Sequence, residues 1–487
     1  MSRRAVSQVL VGLVTIVAMG IAVGCGDDDS EGASSRVARA TVTGPVTTGE
    51  HGFPATASAI DLSAYGYVER EFFLEGTAHA YRAEGAWTAD GRWPVAVGET
   101  APYKTRMLVR RPEDSSRFNG TVIVEWFNVT SGIDLDIDFG FAHTEILRRG
   151  YAWVGVSAQA SGITSTGGGP FGASVVGLRA WDPSRYGSLA HPGDSYSYDI
   201  FSQAGNALRV RNGVDPLQGL AVKRLIADGE SQSAFRMLTY INAVHPEALV
   251  YDGFLVHSRN GTGAPLFDGS GGSVPAPARV RTDLAARVFQ FITETDLFVI
   301  GTGPAAFPAA RQPDTNRIRT WEVAGTAHAD AYYLRMLMDS GKRQFGQFLD
   351  LSAVLGIVNN GPQHYVMNAA VAALDAWVRA DTLPPTAPPI EVRDDAIVRD
   401  ARGNALGGLR TPQVDVPIAT LSGEGPIALS GRTIPFDAAT LAQLYPTHAD
   451  YVAAVEAATG RAVGAGYILA ADADEIIAEA RASSVGR

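Results

Sequence analysis

The sequence predicts an α/β fold: a mostly parallel central sheet with helices on both faces, carrying an N-terminal β-rich extension and a C-terminal extension. Three observations predict it. From about residue 104 to residue 380, strand-like and helix-like patterns alternate, and such alternation implies crossover connections and a parallel sheet. The chain has 487 residues, 46% of them hydrophobic, which supplies a large core. Its 53 glycines and 26 prolines exceed the usual combined share of about 12%, which points to tight turns and long ordered loops rather than a bundle.

The first element is an address. Arg3 and Arg4 precede an apolar run from Val9 to Val23, shorter than the roughly 20 residues that span a bilayer. A basic start, a short apolar centre and small closing residues describe an export signal. It closes on Ala22-Val23-Gly24-Cys25, which resembles the bacterial lipoprotein box, where cleavage leaves a lipid-bearing cysteine first. Cys25 is the only cysteine of the chain; a disulfide scaffold, a cysteine-rich zinc site and a CxxC pair are thereby excluded. The expected organisation is a signal at 1–24, a tether at 25–35, a β-rich extension at 36–103, a core at 104–380, and a linker with a C-terminal extension packed on the core at 381–487. The protein is then expected in the bacterial cell envelope, lipid-anchored at a membrane surface.

Within the core, 104–111 and 121–126 read as strands, the second through its Thr-Val-Ile-Val run. Residues 141–149 read as a helix ended by Gly150, and 151–157 as a buried strand. A loop containing Gly167-Gly168-Gly169-Pro170 follows. Helices are expected at 198–210, 232–243 and 365–380, and strands at 221–227, 249–257, 287–293 and 319–323. Beyond the linker Pro384-Pro385-Thr386-Ala387-Pro388-Pro389, helices are expected at 449–458 and 471–482.

Between a strand and a helix stands Gly229-Glu230-Ser231-Gln232-Ser233. A nucleophilic serine needs a sharp turn that lifts its hydroxyl above the sheet edge, with small residues two before and two after it. Gly229 meets the first need; Ser233 stands where glycine is usual. The competing reading makes Ser231 a helix N-cap. Of the downstream histidines, His245, His257, His364 and His448 sit at a helix end, directly after the elbow helix, at a helix start and in the distal region. His328 follows the strand at 319–323 through the small residues Ala324-Gly325-Thr326-Ala327, and is the candidate base. For the acid, the strand at 287–293 runs into Glu294-Thr295-Asp296. A carboxylate ending a buried strand needs a partner, and orienting an imidazole provides one. Asp296 is favoured and Glu294 is the alternative; in an extended chain both would face one side.

Ser231, Asp296 and His328, in that order on alternating strands, resemble the α/β-hydrolase superfamily over about 104–380. Glu-Trp-Phe-Asn-Val, Gly-Glu-Ser-Gln-Ser-Ala, Asp-Gly-Phe-Leu-Val-His-Ser-Arg and Arg-Thr-Pro-Gln-Val-Asp-Val-Pro resemble a group of exported bacterial α/β-hydrolase-domain proteins. The resemblance implies a serine hydrolase acting through an acyl-enzyme on a small-molecule or polymeric ester. It implies an oxyanion hole from the Gln232 N–H and a second N–H near Phe127 or Asn128. The alternative is a surface lipoprotein that keeps the fold for binding without catalysis.

The net charge of −11, from 51 acidic and 40 basic residues, disfavours nucleic acid, which needs a basic face. No glycine-rich nucleotide motif follows a strand and no HExxH is present, so neither a cofactor nor a metal is expected. Asp134-Leu135-Asp136-Ile137-Asp138 lacks the glycine and distal glutamate of a calcium loop and fits the polar face of an extended segment. Trp126, Phe127, Tyr196, Tyr198 and Phe201 fit either an apolar pocket or core packing.

Overall fold

One sheet of nine strands organises the computed structural model, which describes residues 36–167, 174–266 and 273–487. The expected signal, the tether with Cys25 and Gly168-Gly169-Pro170 lie outside the described residues. The strands are β1 (Thr41–Thr43), β2 (Tyr67–Ala83), β3 (Val95–Pro112), β4 (Thr121–Trp126), β5 (Ala152–Val156), β6 (Arg224–Glu230), β7 (Gly253–His257), β8 (Arg287–Thr293) and β9 (Ile318–Val323). Their spatial order is β1-β2-β3-β5-β4-β6-β7-β8-β9. The pairs from β5 through β4 to β9 are parallel, and β1, β2 and β3 add an antiparallel edge. β3 runs through residue 103, so the N-terminal β-rich stretch and the parallel core share one sheet. Chain order reverses around β4, which lies between β5 and β6; ligands of open α/β sheets bind outside the strand ends at such a switch point.

Alternation along each strand divides the core into two faces. Val122, Val124 and Trp126 of β4 enter one cluster with Phe201, Met237 and Phe254. Ile123 and Phe127 enter the other, with Ile146, Phe289 and Trp377. The first face is covered by α2 (Ser197–Ala207) and α3 (Gln232–Thr239), and the second by α1 (Ile137–Arg148), α5 (Ala331–Phe345) and α6 (Gln363–Ala380). A one-turn helix, α4 (Glu294–Phe298), follows β8. The C-terminal region adds the hairpin β10 (Ala419–Ile427) and β11 (Gly431–Pro435), then α7 (His448–Gly464) and α8 (Ala470–Ala482). Trp126, Phe127, Tyr198 and Phe201 are fully buried, and the Trp126 and Phe201 rings lie 4.8 Å apart, so these aromatics build the core.

Several elements begin where sequence periodicity does not place them. α1 starts four residues early because the Glu125 carboxylate, buried in β4, accepts the N–H groups of Asp138 and Phe139 at 2.9 Å each. A carboxylate at a helix N-terminus satisfies donors that have no intrahelical partner. β6 starts and ends three residues later than expected, since its pairing with β7 continues to Glu230 opposite His257. α5 is not foreseen: Asp339-Ser340-Gly341-Lys342 breaks its apolar pattern, yet the Asp330 side chain caps it by accepting from Tyr333 N–H.

The antiparallel edge is tied to the core by buried arginines. Arg106, with no exposed side-chain surface, places Nη1 2.9 Å from Glu71 Oε1 and Nη2 3.0 Å from Asp134 Oδ2. Arg110 reaches Glu69 Oε2 at 2.8 Å and Asp136 Oδ2 at 2.5 Å. Asp134 and Asp136 are thus arginine partners, while Asp138 turns into α1 and meets His257. Removing one partner of a buried pair strands the other charge, at about 3–5 kcal/mol. Arg106→Met is expected to lower unfolding stability by that amount, read from the urea midpoint at unchanged slope.

Candidate active site

Ser231 occupies the single residue between β6 and α3, with φ 57° and ψ −117°. A non-glycine residue there is strained and must be held by its surroundings. Its N–H donates to His257 O at 3.0 Å, and its carbonyl accepts the Phe235 N–H at 3.1 Å as the first helical bond. Gly229 lets strand and helix approach closely: a Cβ there would lie 3.1 Å from Ser233 Cβ. Ser233 is itself accommodated where glycine is usual, fully buried, with its hydroxyl donating to Phe127 O at 3.1 Å.

His328 lies on the loop after β9. Its Nε2 is 2.7 Å from Ser231 Oγ and its Nδ1 is 2.7 Å from Asp296 Oδ1. Asp296 is held in turn: its Oδ2 accepts the Thr293 N–H at 2.6 Å in a capping box that opens α4. Because Glu294-Thr295-Asp296 is helical rather than extended, the two carboxylates do not share a side, which corrects the expected common facing. Glu294 points away from the imidazole. It accepts from Gly325 N–H at 2.6 Å and Gly423 N–H at 3.1 Å, and pairs with Arg399 at 3.1 Å. It joins the His328 loop to the C-terminal hairpin.

The oxyanion expectation divides. Gln232 opens α3, where backbone N–H groups lack intrahelical acceptors. The Phe127 N–H, however, donates to Val156 O at 3.3 Å, and the Asn128 N–H donates to Leu135 O at 3.1 Å. Both donors are engaged, so placing the second oxyanion donor at either is corrected. The causes are Val156 at the end of β5 for Phe127 and, for Asn128, a bridge to residue 135 that turns the loop back on itself.

Two neighbours of this site were not singled out by sequence. Glu230 Oε1 lies 3.0 Å from His328 Nε2, and Asn128 Nδ2 donates to Glu230 Oε2 at 3.1 Å. His257 has an acid partner: Asp138, from α1 upstream, places Oδ1 2.7 Å from Nδ1, while Gln363 Nε2 lies 3.0 Å from Nε2. The motif makes Glu230 a position of free choice, and nothing local in sequence joins residue 138 to residue 257. Burial alone would push the His328 imidazole down; the Glu230 carboxylate and then the Asp296 hydrogen bond overcome this and raise it to about 9. Burial raises Glu230 to about 7 against the pull of His328 and His257. Among the described residues no group of histidine, cysteine, aspartate and glutamate forms a metal site.

A family model described as an alpha/beta hydrolase domain matches residues 42–478. The chain belongs to this alpha/beta hydrolase family. Among solved structures, the α/β hydrolase is similar to a serine hydrolase without lid from Xanthomonas campestris, at 14% identity and TM-score 0.27, covering 55% of this chain and 93% of that one. It is also similar to a glucuronoyl esterase from Solibacter usitatus, at 9% identity and TM-score 0.27, covering 64% of this chain and 88% of that one. No curated protein matches the α/β hydrolase.

The close packing of the elbow yields a direct test. Gly229→Val is expected to lose about 1–3 kcal/mol by overpacking against Ser233, seen as a lower melting temperature, with Gly229→Ala losing less.

Proposed function

We propose that this α/β hydrolase is a serine hydrolase that cleaves carboxylic esters through an acyl-enzyme. The observation that carries the reading is the hydrogen-bonded series Ser231 Oγ–His328 Nε2 and His328 Nδ1–Asp296 Oδ1, both at 2.7 Å. Membership of a hydrolase family supports it. Ser231 attacks the ester carbonyl as His328 Nε2 takes its proton. Asp296 fixes the tautomer with Nδ1–H and stabilises the imidazolium. His328 then gives the proton to the leaving alcohol, and water repeats the sequence on the acyl-enzyme. The Gln232 N–H, backed by the α3 dipole, is the oxyanion donor we assign.

The test is labelling with a fluorophosphonate probe alongside hydrolysis of p-nitrophenyl acetate. Wild-type protein is expected to label and turn over, and Ser231→Ala to do neither; absence of labelling in folded wild-type protein defeats the reading. Asp296→Asn is expected to lower turnover by about 10⁴-fold through loss of the correct tautomer. Glu294→Gln is expected to lower the melting temperature while leaving turnover within about tenfold, because Glu294 contacts the loop backbone rather than the imidazole.

The export signal and the lone Cys25 support a second part of the proposal, anchorage of the enzyme at an envelope membrane through lipid on that cysteine. In a bacterial host, full-length protein is expected in the detergent phase of a Triton X-114 partition and Cys25→Ala in the aqueous phase; aqueous partition of both sinks the anchor.

A further inference from the structure

His328 Nε2 faces two oxygens, not one. The Nδ1 side of the ring is taken by Asp296, and the remaining nitrogen offers a single position, either a lone pair or one N–H. Ser231 Oγ takes it with a hydrogen bond of 2.7 Å, and Glu230 Oε1 stands beside it as an ion-pair contact at 3.0 Å. A bare lone pair beside an ionised carboxylate oxygen is repelled by it, whereas a protonated ring is attracted, so the Glu230 charge favours a proton on Nε2. The second Glu230 oxygen is fixed by the Asn128 side-chain amide, which donates to Oε2 at 3.1 Å and to the Glu230 carbonyl at 3.1 Å. That amide holds the carboxylate with Oε1 beside Nε2.

We infer that Glu230 is a positioning residue for His328, its carboxylate holding on Nε2 a proton that must leave before His328 can activate Ser231. The inference rests on the serine-hydrolase reading and names a regulator of that same site. Departure of the proton to solvent frees the Nε2 lone pair. The Ser231 Oγ–C bond then forms as the Oγ proton passes to Nε2 and the carbonyl π pair moves onto oxygen. As the C–O bond to the leaving alcohol breaks, the Nε2 proton goes to that oxygen. While the ring is cationic it is met by a carboxylate on each side, Asp296 at Nδ1 and Glu230 at Nε2.

The surroundings of Glu230 favour this arrangement. The titratable groups facing it are His328 from the loop after β9, His257 from β7, Asp138 from α1, Asp296 from α4 and Tyr333 from α5. Neither histidine is a permanent cation. Glu230 is 2% exposed, and a buried carboxylate is held ionised by a proton-bearing partner or not at all. The raised His328 pKa is consistent with that pairing.

Glu230→Gln keeps the shape and an acceptor for Asn128 while removing the charge. The experiment is the pH dependence of fluorophosphonate labelling in both proteins. In wild type the acidic limb is expected above the ordinary histidine value of about 6.5. In Glu230→Gln it is expected to move down by at least one unit, making the variant about tenfold faster than wild type at the acidic end. A variant slower at every pH with an unmoved limb overturns the inference and leaves the hydrolase reading standing. Wild-type protein that labels at no pH overturns both. As a check independent of the variant's folding, the imidazole proton resonance of His328 in wild-type protein, assigned by its loss in His328→Gln, is expected to titrate above about 6.5; titration at or below that value also overturns the inference.

Discussion

Between Glu230 and Gln232 the chain passes from strand to helix in one residue, and Ser231 absorbs the whole change at φ 57° and ψ −117°. Such a backbone costs on the order of 1–3 kcal/mol and persists only where its surroundings over-determine it. Here the determination is reciprocal. The Ser231 N–H extends the β6–β7 pairing by donating to His257 O, and its carbonyl begins the α3 ladder. Gly229 and Ser233 close the angle by bringing strand and helix into contact. The rest of the site follows from this turn. It points Oγ outward at the carboxyl ends of the parallel strands, aligns the first N–H of α3 beside it, and leaves Glu230 as the last strand residue below.

The imidazole has to be brought to that hydroxyl from a separate part of the chain, and the C-terminal region helps to hold it there. Ala329 N–H donates to Leu429 O at 2.9 Å, and the Asn359 amide bridges Gly325 O and Ser422 O at 3.1 Å each. Glu294 adds the contacts to Gly325, Gly423 and Arg399. The loop bearing His328 is therefore bonded on both sides to residues beyond 380, which gives a physical reason for the family match to continue to residue 478. A hairpin that fixes the His328 loop belongs to the same unit as the strand that leads into Ser231.

What sequence could disclose depended on whether the information was local. β4 is legible because Thr-Val-Ile-Val is β-branched and sits between turn signals, and the Ser231 turn because a strand, a glycine and a helix surround it. Asp296 and His328 are legible from chain order, since in a doubly wound sheet each later strand delivers its end to the same edge. The helical state of residues 294–298 was not, because its capping box depends on where β8 stops. Nor were the engaged N–H groups of Phe127 and Asn128, which are set by a bridge to Leu135 and by Val156 on the neighbouring strand. α5 escaped for a different reason: its buried stripe of Tyr333, Leu334 and Leu337 is short and its later turns are polar.

The second face of β6 carries a cost that bears on how the site works. Ile226 packs among apolar residues, yet Asp228 and Glu230, two and four residues on, place carboxylates on the same side. Glu125 of the adjacent strand adds another, and burial, followed by repulsion from Asp228 and Asp138 at Glu125 and from Asp138 at Asp228, pushes both well up. Like charges in a poorly screened interior cannot all ionise. Protons must therefore distribute among these groups, and the histidines decide where negative charge is tolerated. His257 meets Asp138, and His328 meets Asp296 and Glu230. An apolar residue in place of Glu230 would pack without this conflict, so the carboxylate is intelligible only through the imidazole it faces. The stability forgone on this face of the sheet sets a carboxylate 3.0 Å from His328 Nε2, the nitrogen that carries the proton in the reaction we propose.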